Sequence, residues 1–439
     1  MKRLLLALVA FCFAACGVSA ASAPITVVVG YQSKTINTVT AGTLLRSLGY
    51  LEKRLGPRYR VVWQDYSTGA PITAEMVAGK IDIGSMGDYP MLINGSRNQE
   101  FGDGRTKLVA ATGYNLRGAL NMVVVDPRSP VHTLADLAGK KISASIGSAG
   151  HGTTVRALDR AGVSGFRIQN QVPAVGASAL QSGTVDALGQ FVAWPGQLVF
   201  AGQARLLYDG AELNLPTWHG VVVRERYAND HPEVLDAFLR ALVDATNYLN
   251  GNPMQAALTV AKETKLPVEV VYLYNGPNGM VTFDTTLRPE LRNALEQDVP
   301  FLASIGNIKR LDLNAFWDPA HISAIGGSTG IARISGTDPV CGIPVTDPAR
   351  AGEVWVDGNV TQPAANPGCL LRQIARAGKV RAAYVPSTDT GTRWFADKSF
   401  WVRDREYLPF STEEGARRYL AGHPDARLVS YSDALRGSR

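Results

Sequence analysis

Between Cys16 and Cys341 the chain has no cysteine, and beyond Met280 it has no methionine. The first gap removes disulfide scaffolds and cysteine-based catalytic or metal motifs from the greater part of the 439 residues. The second leaves the C-terminal portion without a thioether. Charge is sparse as well: charged residues make up 19%, the formal net charge is +6, and no Lys/Arg cluster is interleaved with aromatics. That excludes a nucleic-acid-binding surface of the usual basic kind. No run past the N-terminus approaches the roughly 18 uninterrupted apolar residues of a membrane-spanning helix. A GxSxG elbow, an HExxH pair and a Walker loop are all missing, so the common serine hydrolase, zinc protease and nucleotide-hydrolase signatures are excluded.

What is present begins with a leader. Lys2 and Arg3 precede an apolar run from Leu4 to Ala15, too short to cross a bilayer, so residues 1–20 read as a signal peptide cut after Ala20. The competing exit is Phe13-Ala14-Ala15-Cys16, which resembles a lipoprotein signal and would tether the protein to a membrane through Cys16. Either way the destination is periplasmic. Hydrophobic residues at 46% are enough to fill a globular core.

From Ile25 onward, short β-branched runs alternate with helical patterns. ITVVVG (25–30), YRVVWQDY (59–66), KIDIGS (80–85), KLVAATGY (107–114), LNMVVVD (120–126), KKISASIG (140–147), FRIQNQV (166–172) and VDALGQFVA (185–193) read as strands. This alternation predicts an α/β architecture with mostly parallel sheets. Three strand ends run into loops of glycine and small hydroxyl residues: GYQSKT (30–35), GSMGDYP (84–90) and GSAGHGTT (147–154). Such loops let backbone amides approach an anion or polar headgroup. A long amphipathic helix follows at 231–250, and AIGGSTGIARISG (324–336) has the composition of a linker.

The ordered series GYQ, GKIDIGSMGDYP, SPVHTLADLAGKKISASIGSAGHGTTVRALDRAGV, QSGTVDALGQFVAWPG and RERYANDHPEVLDAFLRALVDA resembles the periplasmic substrate-binding proteins of ABC importers. The branch it is most similar to is the nitrate, taurine and aliphatic-sulfonate group. The resemblance implies a two-lobed type 2 periplasmic binding protein fold with two crossing strands, near Tyr114–Ala119 and Trp218–Val223. Lobe one would comprise residues 25–114 and 219–320, and lobe two 115–218. It also implies a small organic ligand shut between the lobes, permease and ATPase subunits as partners, no required cofactor and no enzymatic activity. The same fold resembles the thiamine-pyrimidine-synthesising enzymes, but their cysteine-rich signature is absent.

The resemblance places Tyr31 and Gln32, then Ser85, Met86, Gly87 and Asp88, in the pocket wall of lobe one. It places Ser148, Gly150, His151 and Trp194 in that of lobe two, and Trp218 and His219 at the return crossing. Several have a plainer reading. Asp88 either caps the helix beginning at Tyr89 or meets a ligand amine, and Arg117 would have to neutralise it before an oxyanion could sit there. Met86 reads as packing. His151 and Trp194 read equally as structural.

Residues 337–435 carry a second resemblance. DPVCGIPVTDPARAG, NPGCLLRQI, VRAAYVPSTDTGTRWFADKSFWVR and PFSTEEGARRYLAGHPDARLVSYSDAL are similar to the NosL-type copper-handling accessory proteins. It implies a small α+β C-terminal domain and a Cu(I) site involving Cys341 and Cys369. The sequence departs from that family at Ile343, where a methionine is usual. The family's late methionine is also missing, with Leu408-Pro409-Phe410 near its place, so Cys341 and Cys369 are the only soft ligands of this part and His423 is its sole imidazole. The alternative is a disulfide between the two cysteines, closing a loop of about 28 residues worth roughly 3–4 kcal/mol. Both readings stay open at this stage.

Overall fold

The computed structural model describes residues 23–100, 105–328 and 330–438. The expected signal peptide and Cys16 lie outside the described residues. The first lobe opens with β1 (Ile25–Tyr31), β2 (Tyr59–Asp65), β3 (Ile83–Gly87) and β4 (Thr106–Asn115). The chain then leaves to build the second lobe from β5 (Asn121–Val125), β6 (Lys141–Ala144), β7 (Arg167–Asn170), β8 (Ala187–Phe191) and β9 (Arg205–Asp209). It returns as β10 (Thr217–Arg224). The strand orders are β2-β1-β3-β10-β4 and β7-β6-β8-β5-β9.

These sheets are mixed rather than mostly parallel. β1 runs parallel to β2 and β3, but β10 is antiparallel to both β3 and β4. In the second lobe β6 is parallel to β7 and β8, whereas β5 is antiparallel to β8 and β9. The cause is the crossing itself. A strand that has just changed lobes enters its new sheet from the opposite end to the strands joined by helices. The return crossing also lies earlier than expected, at residues 210–216, and Trp218–Val223 is the interior of β10. TWHGVVVR is buried on both faces, so its sequence has no polar alternation to mark it as a central strand.

The third part follows as β11 (Gly352–Asp357), β12 (Val360–Ala364), β13 (Ala382–Pro386), β14 (Arg393–Phe395), β15 (Phe400–Arg403), β16 (Tyr407–Phe410) and β17 (Arg427–Val429). They form antiparallel sheets in the orders β12-β11-β13-β14 and β16-β15-β17. The order strand-strand-helix-strand occurs twice, with Pro367–Arg376 and Glu413–Ala421 as the helices. Each helix is capped from outside: Asn366 accepts from the Cys369 amide, and Thr412 accepts from the Gly415 amide.

The C-terminal region is docked on both lobes, and the segment 324–336 is not a free tether. Asn278 donates to the Pro348 carbonyl and takes the Ile334 amide, while Asn250 donates to the Gly330 carbonyl. Tyr272, on the helix Val268–Asn275, packs against Trp355 and Tyr384 with ring centroids 5.4 and 5.7 Å apart. Tyr384 donates its hydroxyl to the Glu269 carbonyl, and Arg393 pairs with Glu353 in a nearly dry pocket while donating to the Pro277 carbonyl. On the second lobe, Phe200 meets Phe395 at 5.3 Å, Glu413 meets His132, and Arg418 meets Glu212. Between these contacts lies the wholly buried carboxylate of Asp209, the last residue of β9. It accepts the Thr390 hydroxyl at 2.8 Å, the Ser411 hydroxyl at 3.3 Å and the Ala211 amide at 3.0 Å.

A hydrogen bond to a buried charge contributes about 1.5–3 kcal/mol. Thr390→Val is therefore expected to lower the urea-unfolding free energy of the full-length protein by about that amount. The exposed neighbour substitution Thr388→Val should change it by less than about 0.5 kcal/mol.

Candidate functional site

The carboxyl ends of β1, β3, β6 and β8 carry the loops that face the junction of the lobes. Gln32 is buried just beyond β1. Its side-chain oxygen accepts from Thr35 Oγ1 at 3.4 Å, and its amide lies 3.5 Å from the Ser85 carbonyl. Ser85 Oγ accepts the Thr38 hydroxyl at 2.9 Å. Met86 and Gly87 serve this wall from behind. Met86 is core, with its sulfur near the Thr73 hydroxyl. Gly87 faces His219 in register, and a Cβ there would touch the imidazole ring.

His219 is a brace. Burial pushes its pKa down to about 3, so the ring is neutral, and its Nδ1 lies 2.6 Å from Asn37 Nδ2 and accepts from it. Its backbone carbonyl takes the Thr112 hydroxyl. Trp218 is fully buried in β10 and packs edge-on to Trp317, away from the cleft.

Asp88 is committed to the backbone. Its carboxylate accepts the Tyr89 amide at 2.8 Å and, across the sheet, the Trp218 amide at 3.1 Å. Arg117, expected opposite it, donates instead to the Thr390 carbonyl of the C-terminal region. The cation near Asp88 is Arg156 of the second lobe, paired with Asp298 of the first at 3.0 Å, and these three side chains line one small cavity. Arg156 also donates to the Gln297 carbonyl and lies 4.2 Å from the Phe301 ring centroid. Close by, a Cβ on Gly152 would overlap the Tyr89 ring, so helix Ala149–Arg160 sits tight on helix Asp88–Glu100. The lobes are shut together along this seam.

In the second lobe Ser148 caps helix Ala149–Arg160 by accepting the His151 amide at 3.2 Å. His151 is buried, and burial lowers its pKa. Gly150 lets that helix approach the end of β8, because a Cβ would strike the Gln190 backbone. Gln190 donates to Ser145 Oγ at 3.1 Å and keeps an unpartnered Oε1 among the described residues.

A cavity of about 230 Å³ opens between the lobes. Ser33, Lys34, Thr35, Asp65, Tyr66 and Ser67 line it from the first lobe, and Val172, Pro173, Ala174 and Trp194 from the second. The Lys34 ammonium stands 5.9 Å from the Trp194 ring centroid. Asp65 is held by Ser33, whose amide and hydroxyl donate to its two oxygens at 2.8 and 2.6 Å. Larger hollows exist elsewhere, but this one draws walls from both lobes at the ends of β1, β2, β7 and β8. Trp194 is the one residue of the sequence-derived set that lines it. Lys34 and Tyr66 were missed, although Lys34 lies inside the GYQSKT loop and Tyr66 ends the YRVVWQDY run.

In the C-terminal region Cys341 and Cys369 are joined by a disulfide, with Cα atoms 5.9 Å apart. The side chain of Asp338 lies within 4.8 Å of both sulfurs. Its oxygens accept the amides of Val340, Cys341 and Ala365, which builds the turn that presents Cys341. His423 is not part of this group: it stacks on Tyr419 with ring centroids 3.8 Å apart. Any metal at the sulfurs would first require reduction of the bond.

Burial raises the Asp88 carboxyl to about 6, outweighing the lowering by its two amide donors. A folded-state pKa above the unfolded value gives stability that is present at low pH and is lost as pH rises through the folded pKa. The stability of the native protein relative to Asp88→Asn should therefore fall between about pH 4 and pH 7, by on the order of 2–3 kcal/mol. Thermal melts of both proteins across that range check it.

Comparisons with known proteins bear on the two-lobed fold. Residues 107–256 match the family described as NMT1/THI5 like. A putative aliphatic sulfonates-binding protein of Escherichia coli is 28% identical over 314 residues, covering 70% of this chain and 92% of that one. The taurine-binding periplasmic protein of Escherichia coli is 26% identical over 199 residues, 44% of this chain and 58% of the relative. Among solved structures, the alkanesulfonate-binding protein of Xanthomonas axonopodis pv. citri bound to MOPS superimposes with a TM-score of 0.57 at 25% identity, covering 68% of this chain and 99% of that one. A desulfurization enzyme shares the fold at 18% identity and a TM-score of 0.52. The segment 107–256 is thus similar to the NMT1/THI5-like family, and the two-lobed region that contains it is similar to aliphatic sulfonate- and taurine-binding proteins.

Proposed function

We propose that the two lobes capture a small organic sulfonate outside the cytoplasm and deliver it to an importer's permease and ATPase subunits. The observation that carries this reading is the interlobe cavity, in which one ammonium, Lys34, faces an aromatic and proline wall of Trp194, Tyr66 and Pro173. A sulfonate would sit by the ammonium, with its short carbon body against the rings. About 230 Å³ is below the roughly 300–1,000 Å³ of sites for drug-sized ligands, which suits a molecule of a few heavy atoms. Asp65 stands at the same cavity and would favour a ligand that also carries an amine. The relatives named above bind sulfonates or taurine, and the binding role needs no catalytic group.

A ligand at 100 times its dissociation constant stabilises the folded protein by about 2.7 kcal/mol. Short alkanesulfonates and taurine should accordingly raise the melting temperature, while their uncharged alcohols should not. Lys34→Ala should weaken binding roughly 10- to 150-fold, the loss of one charge-assisted hydrogen bond. Calorimetric titration that finds no heat with any sulfonate would refute the assignment.

A second reading concerns the C-terminal region, which resembles the copper-handling NosL type. Asp338, Cys341 and Cys369 offer one carboxylate and two sulfurs within 4.8 Å. Once reduced, the two thiolates would suit Cu(I), which prefers soft ligands. The reduced protein is expected to take up one Cu(I) against a moderate chelator, and Cys341→Ser to abolish uptake. Competition spectrophotometry reads both outcomes.

A further inference from the structure

The disulfide lies at the floor of a hollow of about 520 Å³ and is not sealed in a core. Cys369 is buried, 3% exposed, whereas Cys341 is half-buried and open to the hollow. The walls are cationic. Arg372 stands on the helix that carries Cys369, and its Nη1 approaches Cys341 Sγ at 3.5 Å. Arg403 and Arg405 face it from the end of β15 and the turn beyond. Arg403 lies over the Tyr407 ring, 4.7 Å from its centroid, and donates to the Arg405 carbonyl. Among the described residues none of these three arginines makes an ion pair, and the acid on the rim, Glu406, is held by Arg350. An accessible sulfur–sulfur bond thus sits beside three arginines that make no ion pair among the described residues, and the carboxylate beside the sulfurs, Asp338, is engaged by the Val340, Cys341 and Ala365 amides.

We propose that Cys341–Cys369 is an exchange centre for small anionic thiols. An anionic thiol is drawn into the hollow by the arginines, and its thiolate attacks Cys341 Sγ, the exposed sulfur. A bond forms between the incoming sulfur and Cys341, the disulfide bond breaks, and the electron pair leaves on Cys369 Sγ. Cys369 occupies the first turn of helix Pro367–Arg376, where the positive end of the helix dipole favours a thiolate. A second thiol then attacks the mixed disulfide. The small-molecule disulfide departs, and Cys341 is left as a thiolate beside Arg372. The two incoming thiols lose their protons to solvent and are oxidised to one small-molecule disulfide, and the protein disulfide takes up two electrons, leaving two thiolates. This activity is independent of the cleft and of its ligand.

The test uses three thiols of matched size on the full-length protein: 2-mercaptoethanesulfonate, 2-mercaptoethanol and cysteamine, which are anionic, neutral and cationic. Disulfide loss is followed by alkylation and mass spectrometry. Each rate is divided by the rate of the same thiol on the urea-unfolded chain, which cancels differences in intrinsic nucleophilicity. The expected order of these ratios is anionic over neutral over cationic, with a spread of about tenfold or more from electrostatic attraction. At about 1 M salt, where the screening length falls to about 3 Å, the order should collapse. Arg403→Glu with Arg405→Glu should invert it. Native ratios that are equally small for all three thiols would overturn the proposal and leave a structural staple. A charge order that survives both high salt and the double substitution would also overturn it.

Discussion

The carboxylate of Asp209 ties the second lobe and the return crossing to the C-terminal region. It ends β9, and its amide partner Ala211 begins the chain's return to the first lobe. Its other two partners, Thr390 and Ser411, come from the C-terminal region. Burial raises its pKa, so the charge is tolerated only because donors replace the lost water. Arg117, in the outward crossing, reaches the carbonyl of the same Thr390. Both crossings are thereby tied to one loop of the C-terminal region. A carboxylate with three fixed donors defines a position more sharply than an apolar contact would, because displacing it strands both the charge and the hydroxyls.

The remaining interfaces follow from that placement. The helix Val268–Asn275 fills the space between the first lobe, the second lobe and β11. Tyr274 reaches the second lobe, where its hydroxyl accepts the Gly196 amide at 3.1 Å. One apolar cluster accordingly includes Leu198 and Val199 of the second lobe, Tyr272 and Tyr274 of this helix, and Trp355, Tyr384 and Phe395 of the C-terminal region. Across the cleft, Arg156 with Asp298 and Gly152 with Tyr89 close the opposite seam. The interlobe cavity is small because the lobes meet on both sides of it.

Much of this was legible in local sequence. Every run read as a strand from ITVVVG to VDALGQFVA overlaps an observed strand, because each combines β-branched residues with a glycine or polar boundary. The glycine loop places Ser148 at a helix N-terminus and reads it as a pocket residue, and in the structure its hydroxyl caps that helix. What stayed hidden depends on distant partners. Arg117 reads as a candidate for an anion, but its acceptor is 273 residues away. Trp218 and His219 look like cleft residues by resemblance. Their roles as core and brace come from Trp317 and Asn37, which no local pattern connects to them. The glycine-rich composition of 324–336 signals turns, and it says nothing of the hydrogen bonds that pin the segment down.

The repeated strand-strand-helix-strand unit has a consequence for where chemistry can reside. At the third position after the cap, the first copy has Cys369 and the second has Gly415. Gly415 sits where a Cβ would collide with the Asp389 carboxylate, so in the second copy that position serves close packing. The second copy also supplies Arg403 and Arg405 to the hollow, and Ser411, Glu413 and Arg418 to the second lobe. Both copies dock, the first through Trp355 and Tyr384 against Tyr272 and the second through Ser411, Glu413 and Arg418 against the second lobe. The sulfur stays with the first copy, and its twin supplies the cationic wall that faces it.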